Sequence, residues 1–203
     1  MLKYMGRGDI MYSLFIDTHY LNLVIVLYKD GVVVDKNELI NIRNQSEVLV
    51  PSIVAILDNN HLTIDNLGEL IVVNGPGSFT GVRLGVTVAK TMAYLKNIPI
   101  KAISSLQVLA SNVDNDQFQV SIPENNGMFI GKFNNDFLNP QYIYIKKEDM
   151  DTYVTNNNIT IVEDIDYNKL YKKISILPII NPHLVNPLYI KTIEVHNDKK
   201  SAN

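Results

Sequence analysis

The stretch Val72-Val73-Asn74-Gly75-Pro76-Gly77-Ser78-Phe79-Thr80-Gly81-Val82-Arg83-Leu84-Gly85 constrains the fold more tightly than any other part of the chain. Leu70 to Val73 reads as a buried strand that breaks into a loop where glycines flank a proline, and an apolar-periodic helix then runs to Leu95. Gly75, Gly77 and Gly81 fall within one short loop, which marks a turn needing close backbone approach. A strand, such a turn and a helix start gather backbone N–H groups around a concave, positive spot. That spot suits a phosphate, and it equally suits a tight connection with no ligand. The spacing G-P-G-S-F-T-G puts the third glycine one position too late for G-x-G-x-x-G, and no Gly-Lys-Ser/Thr follows as in a P-loop. Ser78 lacks the glycine two positions before it that a nucleophile elbow requires.

The helix adds a second pattern. Gly81, Gly85, Ala89 and Ala93 recur every fourth residue and share one stripe. Glycine in a helix interior costs about 1 kcal/mol against alanine. A neighbour lying close along the bare stripe, either internal or on a partner chain, would offset that loss. On the helix before it, Leu49, Ile53, Ile56 and Leu57 form one face, and Val50 and Val54 widen the apolar arc to more than half the circumference, as expected where a helix meets both core and partner.

Composition narrows the function classes. The 203 residues suit two lobes or two small domains, and 46% hydrophobic with 19% charged residues is the balance of a packed chain. A net charge of −3 gives no basic field for nucleic acid. The absence of cysteine excludes disulfides and thiolate chemistry. No apolar run approaches the roughly 18 residues of a membrane span, so a cytoplasmic protein without a membrane role is expected.

In chain order, strands are expected at Tyr12–Ile16, Leu21–Tyr28 and Val32–Leu39, the last two joined by a hairpin turn at Asp30-Gly31. A helix capped by Ser46 with Pro51 near its start follows, then the strand at 70–73, the glycine turn, a helix over 81–95, a strand at 98–103 and a short helix capped by Ser104-Ser105. The order β-β-β-α-β-α-β-α predicts a mixed sheet with helices on its faces. Residues 1–10 read as a loose leader, with Met11 an alternative start, 11–111 as a first lobe, 112–195 as a second and weaker lobe, and 196–203 as a frayed tail. Within the second lobe, strands are expected near 118–122, 128–133, 142–145 and 159–162, helices near 147–153 and 167–173, and a last ordered segment over Tyr189–Val195.

The glycine stretch resembles the G-P-G-S-F-T-G-x-R-x-G signature of the bacterial TsaB (YeaZ) family, accessory subunits in tRNA threonylcarbamoyladenosine biosynthesis. Four further stretches are similar in the same order: Ile16-Asp17-Thr18 to I-D-T, Gln45-Ser46-Glu47-Val48-Leu49-Val50-Pro51 to H-S-E-x-L-x-P, Ile103-Ser104-Ser105-Leu106 to V-S-S-L, and Pro187-Leu188-Tyr189-Ile190-Lys191 to P-x-Y-L-R. The chain departs from the pattern at Gln45, where the family has histidine, and at His19, where it commonly has serine or threonine. It departs again at Ile122–Gly127, where members carry D-A-R-x-G-E.

The resemblance implies an α/β, actin-like ATPase (ASKHA, ribonuclease H-like) fold of two related lobes, with a mixed sheet and helices on both faces. It implies a non-catalytic scaffold that binds and activates a TsaD-type threonylcarbamoyl transferase, works with a TsaE-type ATPase, reaches tRNA only through the complex, and can form a homodimer. The expected interface is Leu49, Val50, Ile53, Val54, Gly81, Arg83, Gly85, Ala89 and Ala93, and the signature loop is Gly75, Pro76, Gly77, Ser78, Phe79, Thr80 and Gly81. Asp17 and Thr18 end the first strand where an actin-like fold puts a phosphate loop, so they are candidates for a residual nucleotide contact. An alternative reading is accordingly a small actin-like ATPase or kinase. No cofactor of its own is expected, with ATP or ADP at a subunit interface as the exception. His19, His61, His183 and His196 are dispersed without metal-ligand spacing, so no metal site is expected.

Overall fold

A computed structural model describes residues 11–190. The expected leader at 1–10, the tail at 196–203 and the last segment beyond Ile190 lie outside the described residues.

The apolar runs of the first hundred residues assemble into one five-stranded sheet. β1 (Tyr12–Asp17), β2 (Leu23–Lys29) and β3 (Val32–Leu39) form an antiparallel meander. Asp30 and Gly31, between β2 and β3, both take positive φ (50° and 81°), as a two-residue hairpin turn demands. Two crossovers then add parallel strands: α1 (Gln45–Asn59) leads to β4 (Leu67–Val73) beside β1, and α2 (Phe79–Lys96) leads to β5 (Ile100–Ile103) beside β4. The sheet order is β3-β2-β1-β4-β5.

Because side chains alternate along a strand, β1, β2 and β4 feed two cores at once. Leu14, Ile16, Leu23, Ile25, Leu27, Leu70 and Val72 face α1 and α2. Phe15, Val24, Val26, Tyr28, Ile71 and Val73 face the other way, toward α3 (Ser105–Ala110) and α5 (Tyr167–Ser175). Helices therefore cover both faces of a mixed sheet.

A second sheet of three antiparallel strands, β6 (Gln117–Glu124), β7 (Gly127–Asn134) and β8 (Gln141–Lys146), packs Val120, Ile122, Phe129 and Phe133 against Leu106 and Ala110 of α3. α3 is thus shared between the two sheets. Its start is well specified, since Ser104 and Gln107 make a reciprocal capping box.

Several expected elements are corrected. α1 begins at Gln45 with Asn44 at its cap position, not with Ser46 as the cap. Residues 159–162 form no strand; Thr160 makes one backbone bond to the Gln119 carbonyl at the β6 edge (2.7 Å). The helix expected at 147–153 is a 3-10 turn at Lys147–Asp149 leading into α4 (Met150–Asn156). Within the described residues the chain after the second sheet returns to the first. Leu170, Tyr171 and Ile174 of α5 sit on the first sheet, and beyond them Val185 is buried in the first core while Ile180 bridges Ile100. The apolar side of α5 faces the first sheet, and Lys101 of β5 completes the junction. Its ammonium is buried with the Glu69 carboxylate (3.0 Å) and donates to the carbonyls of Ile174 and Ser175 at the end of α5.

Candidate functional site

The glycine turn connects β4 to α2 and lies against the turn that ends β1. Ser78 caps α2, its hydroxyl accepting the Gly81 N–H, while its own N–H donates to the His19 carbonyl (2.7 Å). The Thr18 hydroxyl, fully buried, donates to the Gly81 carbonyl (2.7 Å). The small residues are needed for this approach. A β-carbon on Gly81 would stand 2.1 Å from the Thr18 carbonyl oxygen, and one on Gly85 2.3 Å from the Thr18 hydroxyl. Gln45 closes the arrangement from α1, donating to the carbonyls of Tyr20 and Asn22.

This geometry corrects the expected interface. Gly81, Gly85, Ala89 and Ala93 are all buried, facing β1 and the first core, so the bare stripe lets α2 lie close to its own sheet. Leu49 and Ile53 are core residues as well. Of the nine expected interface positions, Val50, Val54 and Arg83 are exposed, the two valines 51% and 50% so. On α2 the outward apolar residues are Phe79, Tyr94 and Leu95, 47%, 58% and 68% exposed, with Leu84, Val88 and Met92 half-buried between the surface and the core. The recurrence of Leu84, Val88 and Met92 at four-residue spacing was a signal for this second, outer stripe.

Arg83 is held within the chain. Its guanidinium lies 3.7 Å from the centre of the Phe79 ring and its Nε donates to the Tyr189 hydroxyl (2.7 Å). Tyr189 belongs to the closing P-x-Y stretch, so two motifs a hundred residues apart in sequence meet here. The whole segment Pro182–Tyr189 runs along the flank of α2. His183 packs edge-on against Tyr94 near one end, Lys90 donates to the carbonyls of His183 and Val185 midway, and Tyr189 meets Phe79 near the other end. Leu188 N–H also donates to the Asn74 carbonyl at the glycine turn (2.7 Å).

Asp17 and Thr18 are not presented to a ligand. Asp17 is 7% exposed, and one of its carboxylate oxygens accepts both the N–H and the ring Nδ1 of His19 (2.9 and 2.6 Å). Burial pushes the His19 imidazole down, but the charge and hydrogen bond of Asp17 outweigh that, and it ends above its ordinary 6.5. Next to the glycine loop, between the two sheets, lies a cleft of roughly 1440 Å³. Gly77, Ser78 and Phe79 form one wall, and Ile122–Asn126, Phe129, Tyr142 and Tyr144 the other. These second-sheet aromatics are not legible in the sequence, because alternate residues on a strand look alike whether they face a core or a cleft. Tyr142 is pushed up to about 12 by burial, offset in part by its bond to Ser104. Among the described residues no group of three or more metal-ligating side chains converges, and no helix is long and apolar enough to cross a membrane.

The chain is similar in sequence and fold to known proteins. A family model described as "TsaD: tRNA N6-adenosine threonylcarbamoyltransferase" matches residues 38–123, the span that holds α1, the glycine loop and α2. The tRNA threonylcarbamoyladenosine biosynthesis protein TsaB of Bacillus subtilis is 39% identical over 102 residues, covering 50% of this chain and 44% of that protein. TsaB of Escherichia coli is 32% identical over 100 residues, covering 49% and 43%. These matches support a likeness of the first half of the chain to the TsaB (YeaZ) family. The chain spans about half the length of the curated TsaB relatives it matches. The fold likeness reaches further: YeaZ from Pseudomonas aeruginosa superposes with a TM-score of 0.67 at 17% identity, over 88% of this chain and 99% of that one. A second Pseudomonas aeruginosa structure, described as similar to peptidase YEAZ, gives 0.72 at 16% identity over 89% and 100%.

Proposed function

We propose that this chain serves the synthesis of threonylcarbamoyladenosine in tRNA as a docking subunit, binding and activating a TsaD-type transferase through the outer sides of α1 and α2. One observation carries the reading: two neighbouring helices on the same face of the sheet turn large apolar side chains, Val50, Val54, Tyr94 and Leu95, toward solvent. The sequence span that matches the transferase family includes both helices. A transferase built on the same unit would offer a like surface, so pairing of like with like follows, and a homodimer is the same contact between two copies. The capped, closely packed glycine loop fits a role in fixing the angle of α2, and the internal bonding of Asp17 and Thr18 speaks against the ATPase or kinase alternative. Any contact with tRNA then runs through the transferase, consistent with the net charge of −3.

The reading is tested by reconstitution. The transferase, a TsaE-type ATPase and this chain are mixed with unmodified tRNA and threonylcarbamoyl-adenylate, and modified adenosine is measured. Omission of this chain is expected to abolish turnover. Equal turnover without it would refute the proposal.

A further inference from the structure

The turn Asp17-Thr18-His19 carries more of the structure than its length suggests, since the glycine loop and the first two turns of α2 rest on it. The His19 carbonyl receives the Ser78 N–H, and a β-carbon on Gly77 would lie 2.1 Å from that same oxygen. Thr18 supports Gly81 and Gly85 through its hydroxyl. The turn is itself closed by a single carboxylate oxygen of Asp17, which accepts both the backbone N–H and the ring Nδ1 of His19. The imidazole is neither sealed off nor free, with its side chain 23% exposed, so protons reach it from solvent.

We propose that Asp17 and His19 form a proton-operated latch beneath the glycine loop: a protonated ring clamps the turn, and a neutral ring loosens the loop and the start of α2. A neutral ring that carries its proton on Nδ1 keeps the hydrogen bond to Asp17 but loses the charge attraction. Burial bears most strongly on the ring, and among its neighbours Asp17 supplies the opposing charge. Tyr20 lies beside it with ring centroids 6.5 Å apart, and Tyr167 of α5 feels the Asp17 charge while its own burial keeps it protonated. Pro76, Gly77 and Ser78 bring no titratable side chain, and Gln45 from α1 is neutral.

The sign follows from the direction of the His19 shift. A histidine raised on folding contributes stability that is fully present below its unfolded value, about 6.5, and is lost as pH rises through the folded value. The latch is therefore closed in mild acid and slack in alkali. This device is independent of what docks on α1 and α2, and it operates in the isolated chain.

NMR on the full chain tests it. The His19 ring signals are titrated, and amide exchange at Ser78 and Phe79, corrected for intrinsic base catalysis, is followed from about pH 5.5 to about pH 8.5, the range that brackets a histidine. The ring is expected to titrate above 6.5, and protection at Ser78 to fall several-fold across that titration. In His19→Gln, which keeps a neutral donor, protection is expected to be flat with pH and near the alkaline level of the parent. A ring that titrates at or below its ordinary value, or Ser78 protection that ignores pH in the parent chain, would overturn the proposal. Those two readings need only the parent chain, so a poorly folding variant leaves the test decisive. A His19→Gln variant that retained the parent's pH dependence would also overturn it.

Discussion

The two sides of α2 use small and large residues for opposite ends. The inner side is stripped to Gly81, Gly85, Ala89 and Ala93 so that the helix can lie against the end of β1, where it meets backbone and a hydroxyl at contact distance. The outer side carries Tyr94 and Leu95 into solvent, and α1 likewise exposes Val50 and Val54. A bare stripe by itself signals only that something approaches closely. Here that something is the chain's own first strand, and the surface left for a partner is the bulky side.

Substitutions can break this contrast, and their effects should fall in a definite order. Gly81→Leu meets the Thr18 carbonyl, which cannot move without disturbing β1; overpacking of this kind costs about 3 kcal/mol or more, and the variant is expected to be insoluble or unfolded by circular dichroism. Thr18→Val keeps the shape but removes the hydroxyl bond to the Gly81 carbonyl, which retains its helical partner, with an expected loss of about 1 kcal/mol in urea unfolding. Arg83→Ala removes an exposed stack on Phe79 and one bond to Tyr189, for about 0.5–1 kcal/mol, and should leave partner affinity unchanged because the side chain already serves its own chain. Val50→Asp with Val54→Asp should shift stability by no more than about 0.5 kcal/mol, since both side chains are half in water. If that double variant unfolds instead, the outer side is part of the core and the contrast fails.

Much of the first sheet was legible because its signals are local. Continuous apolar runs gave β1, β2 and β4, Asp30-Gly31 gave the hairpin, and Ser104-Ser105 gave the start of α3. The glycine loop was recognisable as a special turn, yet its neighbour was not. The contact that explains Gly81 and Gly85 comes from Thr18, some sixty residues earlier, and a four-residue repeat says nothing about which surface lies opposite. The same limit hid the pairing of Arg83 with Tyr189 and the return of α5 to the first sheet. The return of the chain to the first sheet is not legible because composition changes little where it crosses back; only packing distinguishes Leu170 and Val185 from residues of the second sheet.

The claim on which the rest turns is that the outer, bulky side of α1 and α2 is where a partner sits. Light scattering on this chain mixed with a TsaD-type transferase tests it most directly, using the parent and the Val50→Asp, Val54→Asp double variant. The account predicts a heterodimer with the parent and two separate species with a folded variant, corresponding to at least about 30-fold weaker binding if these positions carry about 2 kcal/mol. A folded double variant that still runs as a full complex would contradict it.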